Sequence, residues 1–288
     1  MNEAGLAHTV EQLANTMQAL SDADLDRDWV WRYHAEGVRF ALLGTYHELR
    51  DLAVALVTGR AEAGHPVTAA QHALGQYHAA FRDLQAVLLG VKEADFERPP
   101  AQDEWTLRQI VEHIIQADTL FFTLVHHARR QQQAGIEPSR IKAEDWTALI
   151  GTEESLATLL ETAAPTVILD FYETHHGRVL RELADLTDAE LEAPSLYWEG
   201  ESLPIRWRLH RFDAHLRQHT VQVVKTMDAL GLERNEAKRL LRTLYNALAE
   251  VEAVLIGAWN FNLEAQRELA ATIETRTLEI ASVITKAA

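Results

Sequence analysis

Four stretches of the chain repeat apolar residues at intervals of three and four, the spacing that gathers side chains on one face of an α-helix. Over residues 69–91 the stripe is Ala70, Leu74, Tyr77, Phe81, Leu84, Leu88 and Val91. The paired prolines within residues 96–103 are expected to end this helix, because proline cannot donate the next backbone bond. A second helix is predicted to begin near Trp105, with Leu107, Ile110, Val111, Ile114, Ala117, Phe121, Leu124 and Val125 on its apolar face, before a looser polar segment that runs to Trp146. A third carries Val167, Ile168, Phe171, Tyr172, His175, Val179, Leu183 and Leu186. Residues 186–190 read as a turn whose acidic side chains suit a helix start. Residues 194–203 read as a loop or short hairpin, after which Pro204 suits the first position of a fourth helix. That helix shows Ile205, Leu209, Phe212, Leu216, His219, Val223, Met227 and Leu230, and Gly231 ends it.

Four amphipathic helices with one stripe each bury those stripes against one another as a bundle, so the fold class is all-α. Two of the three connections are long, which suits a crossover topology. The flanks also read as helical, over 5–20 and about 28–59 on one side and 235–258 and 262–286 on the other. The expected organisation is an N-terminal helical flank (1–66), a four-helix bundle (67–232) and a C-terminal helical pair (233–288). Residues 20–29 faintly echo residues 91–98. Two readings follow: accessory helical pairs packed on the bundle, or a degenerate second bundle formed by the two flanks.

Composition narrows the function. Of 288 residues, only 13 are glycine and 7 proline, which favours helices over a turn-rich β-architecture. A net charge of −16 repels phosphate backbones and anionic membranes, so neither nucleic acid nor membrane is expected as a partner. The chain has no cysteine, which excludes disulfides, cysteine–zinc sites and a cysteine nucleophile, and agrees with a cytoplasmic location. No apolar run is long enough to span a bilayer, and the first residues lack the basic-then-apolar order of a secretory signal.

Among the 14 histidines, His215 and His219 form the i, i+4 pair that puts two imidazoles one turn apart on one helix face. At this histidine content the spacing alone says little, but position says more. His219 lies in the apolar stripe of the fourth helix and His215 at its edge, and buried imidazoles need partners. His113 borders the stripe of the second helix between Ile110 and Ala117. Geometry leaves two readings: a three-histidine metal site with an open position, or hydrogen-bonded core histidines.

Residues 104–118, with a tryptophan at the helix start and a histidine eight positions on, together with residues 211–219 and the 186–191 lead-in, resemble the DinB-like (DinB/YfiT) family of metal-binding four-helix bundles. The resemblance covers about 70–231 and rests on the order and spacing of these motifs. It implies a divalent metal, zinc or nickel, held by His113, His215 and His219. Relatives transfer sulfur from low-molecular-weight thiols (bacillithiol, mycothiol, glutathione) or isomerise maleylpyruvate. It therefore implies a small-molecule substrate, a thiol cosubstrate and a homodimer as candidate partners. His175 is a candidate fourth ligand or outer-shell donor, Asp213 a candidate to orient a ligand histidine, and Trp105 a candidate pocket wall. Tyr197 and Trp198 are candidates for a lid.

A di-iron carboxylate bundle needs two Glu-x-x-His motifs, and only Glu173 with His176 supplies one. Glycine-rich phosphate loops and nucleophile elbows are absent. Two function classes stay open: a metal-dependent hydrolase or thiol S-transferase, and a non-catalytic helical module with a structural or vestigial metal site.

Overall fold

The structure, a computed structural model, describes residues 5–232 and 235–285. The first residues of the leader reading, the start of the predicted C-terminal segment at 233–234 and the last position of the final predicted helix lie outside them. In chain order the elements are α1 (Leu6–Met17), α2 (Asp22–Leu25), β1 (Asp28–Trp31), β2 (His34–Gly37), α3 (Arg39–Glu62), α4 (Ala69–Leu88) and α5 (Glu93–Phe96). There follow α6 (Leu107–Ala134), α7 (Ala143–Ile150), α8 (Glu153–Thr162), α9 (Pro165–Leu183) and α10 (Asp188–Leu191). The chain continues through β3 (Pro194–Leu196), β4 (Ser202–Pro204), α11 (Ile205–Ala229), α12 (Glu236–Leu255) and α13 (Leu263–Thr285). The strands form two antiparallel hairpins, β1 with β2 and β3 with β4. No helix among the described residues is long and apolar enough to cross a membrane.

The chain divides into two compact units. One comprises residues 68–81 and 91–232 and contains α6, α9 and α11 with the first part of α4. Its core is built by the predicted stripes: Tyr77, Ile114, Phe122, Tyr172, Phe212 and Leu216 are all nearly inaccessible to solvent. Full burial of such side chains contributes roughly 1.5–3 kcal/mol each. At the centre sits a polar knot. The hydroxyls of Tyr77 and Tyr172 both donate to Asp118 Oδ2 at 2.6 Å, while Asp118 Oδ1 is buried without a partner. Burial pushes the Asp118 carboxyl up to about 7, against the two tyrosine hydroxyls, which hold it down.

The other unit joins the described residues within 1–67, 82–90 and 233–288. There α3 packs along α12 and α1 along α13 around Leu13, Leu42, Leu49, Leu56, Leu244 and Leu248. Arg82 is buried in it, paired with Glu252 (2.6 Å) and Glu11 (2.9 Å).

The two units share one run of elements. In each, a four-residue helix closed by a capping box (Ser21 with Asp24, Thr187 with Glu190) leads into a hairpin and then a long helix. The same number of positions separates Leu25 from Arg39 and Leu191 from Ile205. Leu49 therefore stands as far into α3 as His215 into α11, and Ala53 as far as His219.

Several sequence expectations are corrected. Residues 28–37 form a hairpin rather than the start of a helix. Their aromatic and β-branched residues alternate, with Trp29 buried and Val30 exposed, and Arg32 turns the chain at φ 55°. The first predicted stripe ends at Leu88, not at the prolines, because Gly90 takes a left-handed φ of 71°. The second helix continues to Ala134, since the arginines and glutamines after Val125 are good helix formers without an apolar period, and Gly135 at φ 65° stops it. The short helix α7 begins inside the segment expected to be loose, and α8 follows it in a stretch for which no element was predicted. Pro204 is the extended N-cap of α11 rather than its first residue.

Candidate metal centre

α6 starts cleanly because Thr106 and Gln109 form a reciprocal capping box, each side chain bonding the other's backbone N–H. This sets the phase of the helix, so that Ile110, Val111 and Ile114 enter the core and His113 lies at the edge facing α11. α11 starts where the β3–β4 hairpin ends. Arg208, buried in its second turn, fastens that hairpin: it donates to Ser195 Oγ (2.9 Å), the Ser195 carbonyl (3.4 Å) and Glu199 Oε1 (2.7 Å).

α6 and α11 pack side by side and bring His113 to His215 and His219. One nitrogen of each ring lies within 4.8 Å of those of the other two, and this is the one such group among the described residues. Ring centroids are 5.0 Å apart for His113–His215, 4.6 Å for His113–His219 and 4.4 Å for His215–His219. The Nε2 atoms of His113 and His215 are 3.2 Å apart. His219 Nδ1 donates to Gln222 Oε1 at 2.8 Å, which leaves the lone pair on Nε2. His215 Nδ1 is buried without a partner.

The donor set fits a divalent cation. Two nitrogens bound to one tetrahedral zinc at 2.0–2.1 Å would stand about 3.3 Å apart, close to the His113–His215 separation. Each neutral imidazole has one N–H, so a single hydrogen bond can join one pair of rings and leaves the third lone pair unanswered. Burial, then the neighbouring His219 and His113 rings and Arg211, holds His215 down to about 3. Burial, then His219, lowers His113 as well. Both rings are neutral at pH 7, the state a metal ligand requires.

Trp105 stands by this group, its ring 5.3 Å from that of His113. His175 does not join it: it is buried edge-on to Phe122 (5.5 Å) and parallel to Phe171 (6.3 Å), and burial lowers it to about 4. Asp213 is turned to Arg217 at 2.6 Å. Sequence reasoning missed Gln222, although its spacing of three from His219 put it on the same helix face. It also missed Phe121, which meets His215 edge-on at 5.6 Å.

A cavity of about 850 Å³ opens beside the group, with His113 and His215 in its wall. α6 and α11 form one side, and residues 140–157, including α7, form another. Tyr197 and Trp198, at the tip of the β3–β4 hairpin, also line it.

A helical bundle whose two facing helices bring three imidazoles together beside a cavity offers a donor set that could hold a metal ion. The DinB superfamily model matches residues 76–223, just over half of the chain, and the chain belongs to that family. No curated protein and no solved structure matches it.

Proposed function

We propose that His113, His215 and His219 hold one divalent metal ion, zinc or nickel, and that the chain is a metal-dependent enzyme, a hydrolase or low-molecular-weight-thiol S-transferase. The observation that carries this reading is the convergence of three imidazoles, with no fourth protein ligand among the described residues, beside a cavity large enough for a small molecule. A divalent ion so held supplies Lewis acidity, which lowers the pKa of a water or thiol at its remaining position. The chain's own residues set the conditions for that chemistry. Gln222 fixes the tautomer and orientation of His219. Phe121 packs edge-on against His215, and the Trp105 ring lies beside that of His113. Because the chain has no cysteine, any thiolate comes from a cosubstrate.

Elemental analysis of untagged protein, purified after growth with zinc or nickel, tests the reading. One metal ion per chain is the expected result. A metal content far below stoichiometric after supplementation would overturn it in favour of a helical module without a working site.

A further inference from the structure

The charge on the cavity wall carries an inference about what enters it. Three cations line the space, Arg140, Lys142 and Arg211, against one acid, Glu153. In a chain with a net charge of −16 this local excess of positive charge runs against the general balance. Arg140 and Lys142 are exposed, as residues at a mouth are, whereas Arg211 is half-buried on the wall.

Arg211 lies one helical turn before His215, so its guanidinium flanks the imidazole group. Its Cζ lies over the rings of Phe121 (5.6 Å) and Trp207 (5.8 Å). No carboxylate among the described residues forms an ion pair with it. Glu199, whose charge Arg211 feels, is already bonded to Arg208 at 2.7 Å. A half-buried guanidinium over aromatic rings and without a carboxylate partner has N–H donors that match the two oxygens of a carboxylate. The rest of the wall is mostly apolar, with Phe121, Trp146, Tyr197 and Trp198 as its large rings.

We propose that Arg211, with Arg140 and Lys142 at the rim, selects a small carboxylate substrate with a flat unsaturated or aromatic body, and that Arg211 is the residue that binds its carboxylate. The assignment rests on the metal-site reading only in treating this cavity as the substrate site. The arginine holds the acid whether or not a metal is present.

The test is calorimetric titration of the full chain with 3-phenylpropionate and with its neutral amide, 3-phenylpropionamide, in zinc-loaded and in chelator-treated protein. The acid is expected to bind at least about tenfold tighter than the amide in both forms, the value of one charge-assisted hydrogen bond. Arg211→Gln should remove most of that preference while leaving zinc content unchanged. The double variant Arg140→Gln/Lys142→Gln, on exposed positions, should reduce it partly, and serves if Arg211→Gln does not fold. Equal binding of acid and amide, or binding of neither at millimolar concentration, overturns the proposal. So does an acid preference that disappears with the zinc but survives both sets of substitutions, since the metal would then be holding the carboxylate. A zinc-free protein that still prefers the acid through Arg211 upholds the pocket assignment while the metal reading fails.

Discussion

The Nε2 atoms of His113 and His215 stand 3.2 Å apart although 102 positions separate them in the chain. His219 closes the group from one turn further along α11. Replacing any one ring leaves two ligands, too few for tight binding of a divalent ion. His219→Ala is therefore expected to abolish metal retention through gel filtration while the far-ultraviolet dichroism stays largely helical. An unchanged metal content would remove residue 219 from the site.

Gln222 would act on the proposed metal through His219. Its Oε1 accepts the Nδ1 proton and aims Nε2 inward. Loss of such an orienting partner lowers metal affinity by about 10–100-fold. Gln222→Ala should show this in a competition titration against a chromophoric chelator, and Gln222→Glu, which keeps an acceptor, should restore most of it. Equal affinity in Gln222→Ala and the parent would show that the ring is oriented by packing.

Asp118 makes a prediction about pH. Its folded pKa, about 7, lies above the ordinary carboxylate value of 3.8. The folded state thus binds the proton more tightly than the unfolded chain, and this contribution is fully present below about pH 4. It is lost as pH rises towards 7, by at most about 1.4 kcal/mol per unit. In metal-free protein, the melting temperature of the parent relative to Asp118→Asn should fall between pH 4.5 and 7 and level off above. A difference that is flat across this range would show that the carboxyl is not protonated in the fold.

Arg208 holds the hairpin that carries Tyr197 and Trp198 over the cavity. Arg208→Met removes the partner of Glu199, whose second oxygen is already buried without one. Breaking a buried pair from one side costs about 3–5 kcal/mol. Chemical denaturation should reveal a loss of that order, and limited proteolysis should cut faster between residues 194 and 204. A loss below about 1 kcal/mol would mean that water replaces the arginine at this carboxylate.

The bundle helices were legible because each buries one stripe, and the stripe is a property of spacing alone. Tyr77, Ile114, Tyr172 and Phe212 all lie in the core where the three-and-four rhythm put them. The 28–37 hairpin was not legible as strand because four residues of alternation are too few to stand out beside a long helical pattern. α7 and α8 were missed for the related reason that helices of two or three turns show barely one period. His113, His215 and His219 could be named from position on their stripes together with the family resemblance. Arg211 could not, since a charged residue beside a stripe reads as surface until the neighbouring segment 140–157 is seen to wall it in. Asp213, on the same helix, reads alike in sequence yet turns to Arg217.

The short capped helix, hairpin and long helix occur twice, yet Leu49 and Ala53 occupy in α3 the places that two imidazoles hold in α11, and both are buried hydrocarbon. With the proposed metal at the imidazoles, chelation should accordingly loosen one copy of the run and has nothing to remove from the other. Deuterium uptake should rise on metal withdrawal along 107–134 and 205–229 and stay constant along 39–62, so α3 serves as an internal reference for every measurement made on α11.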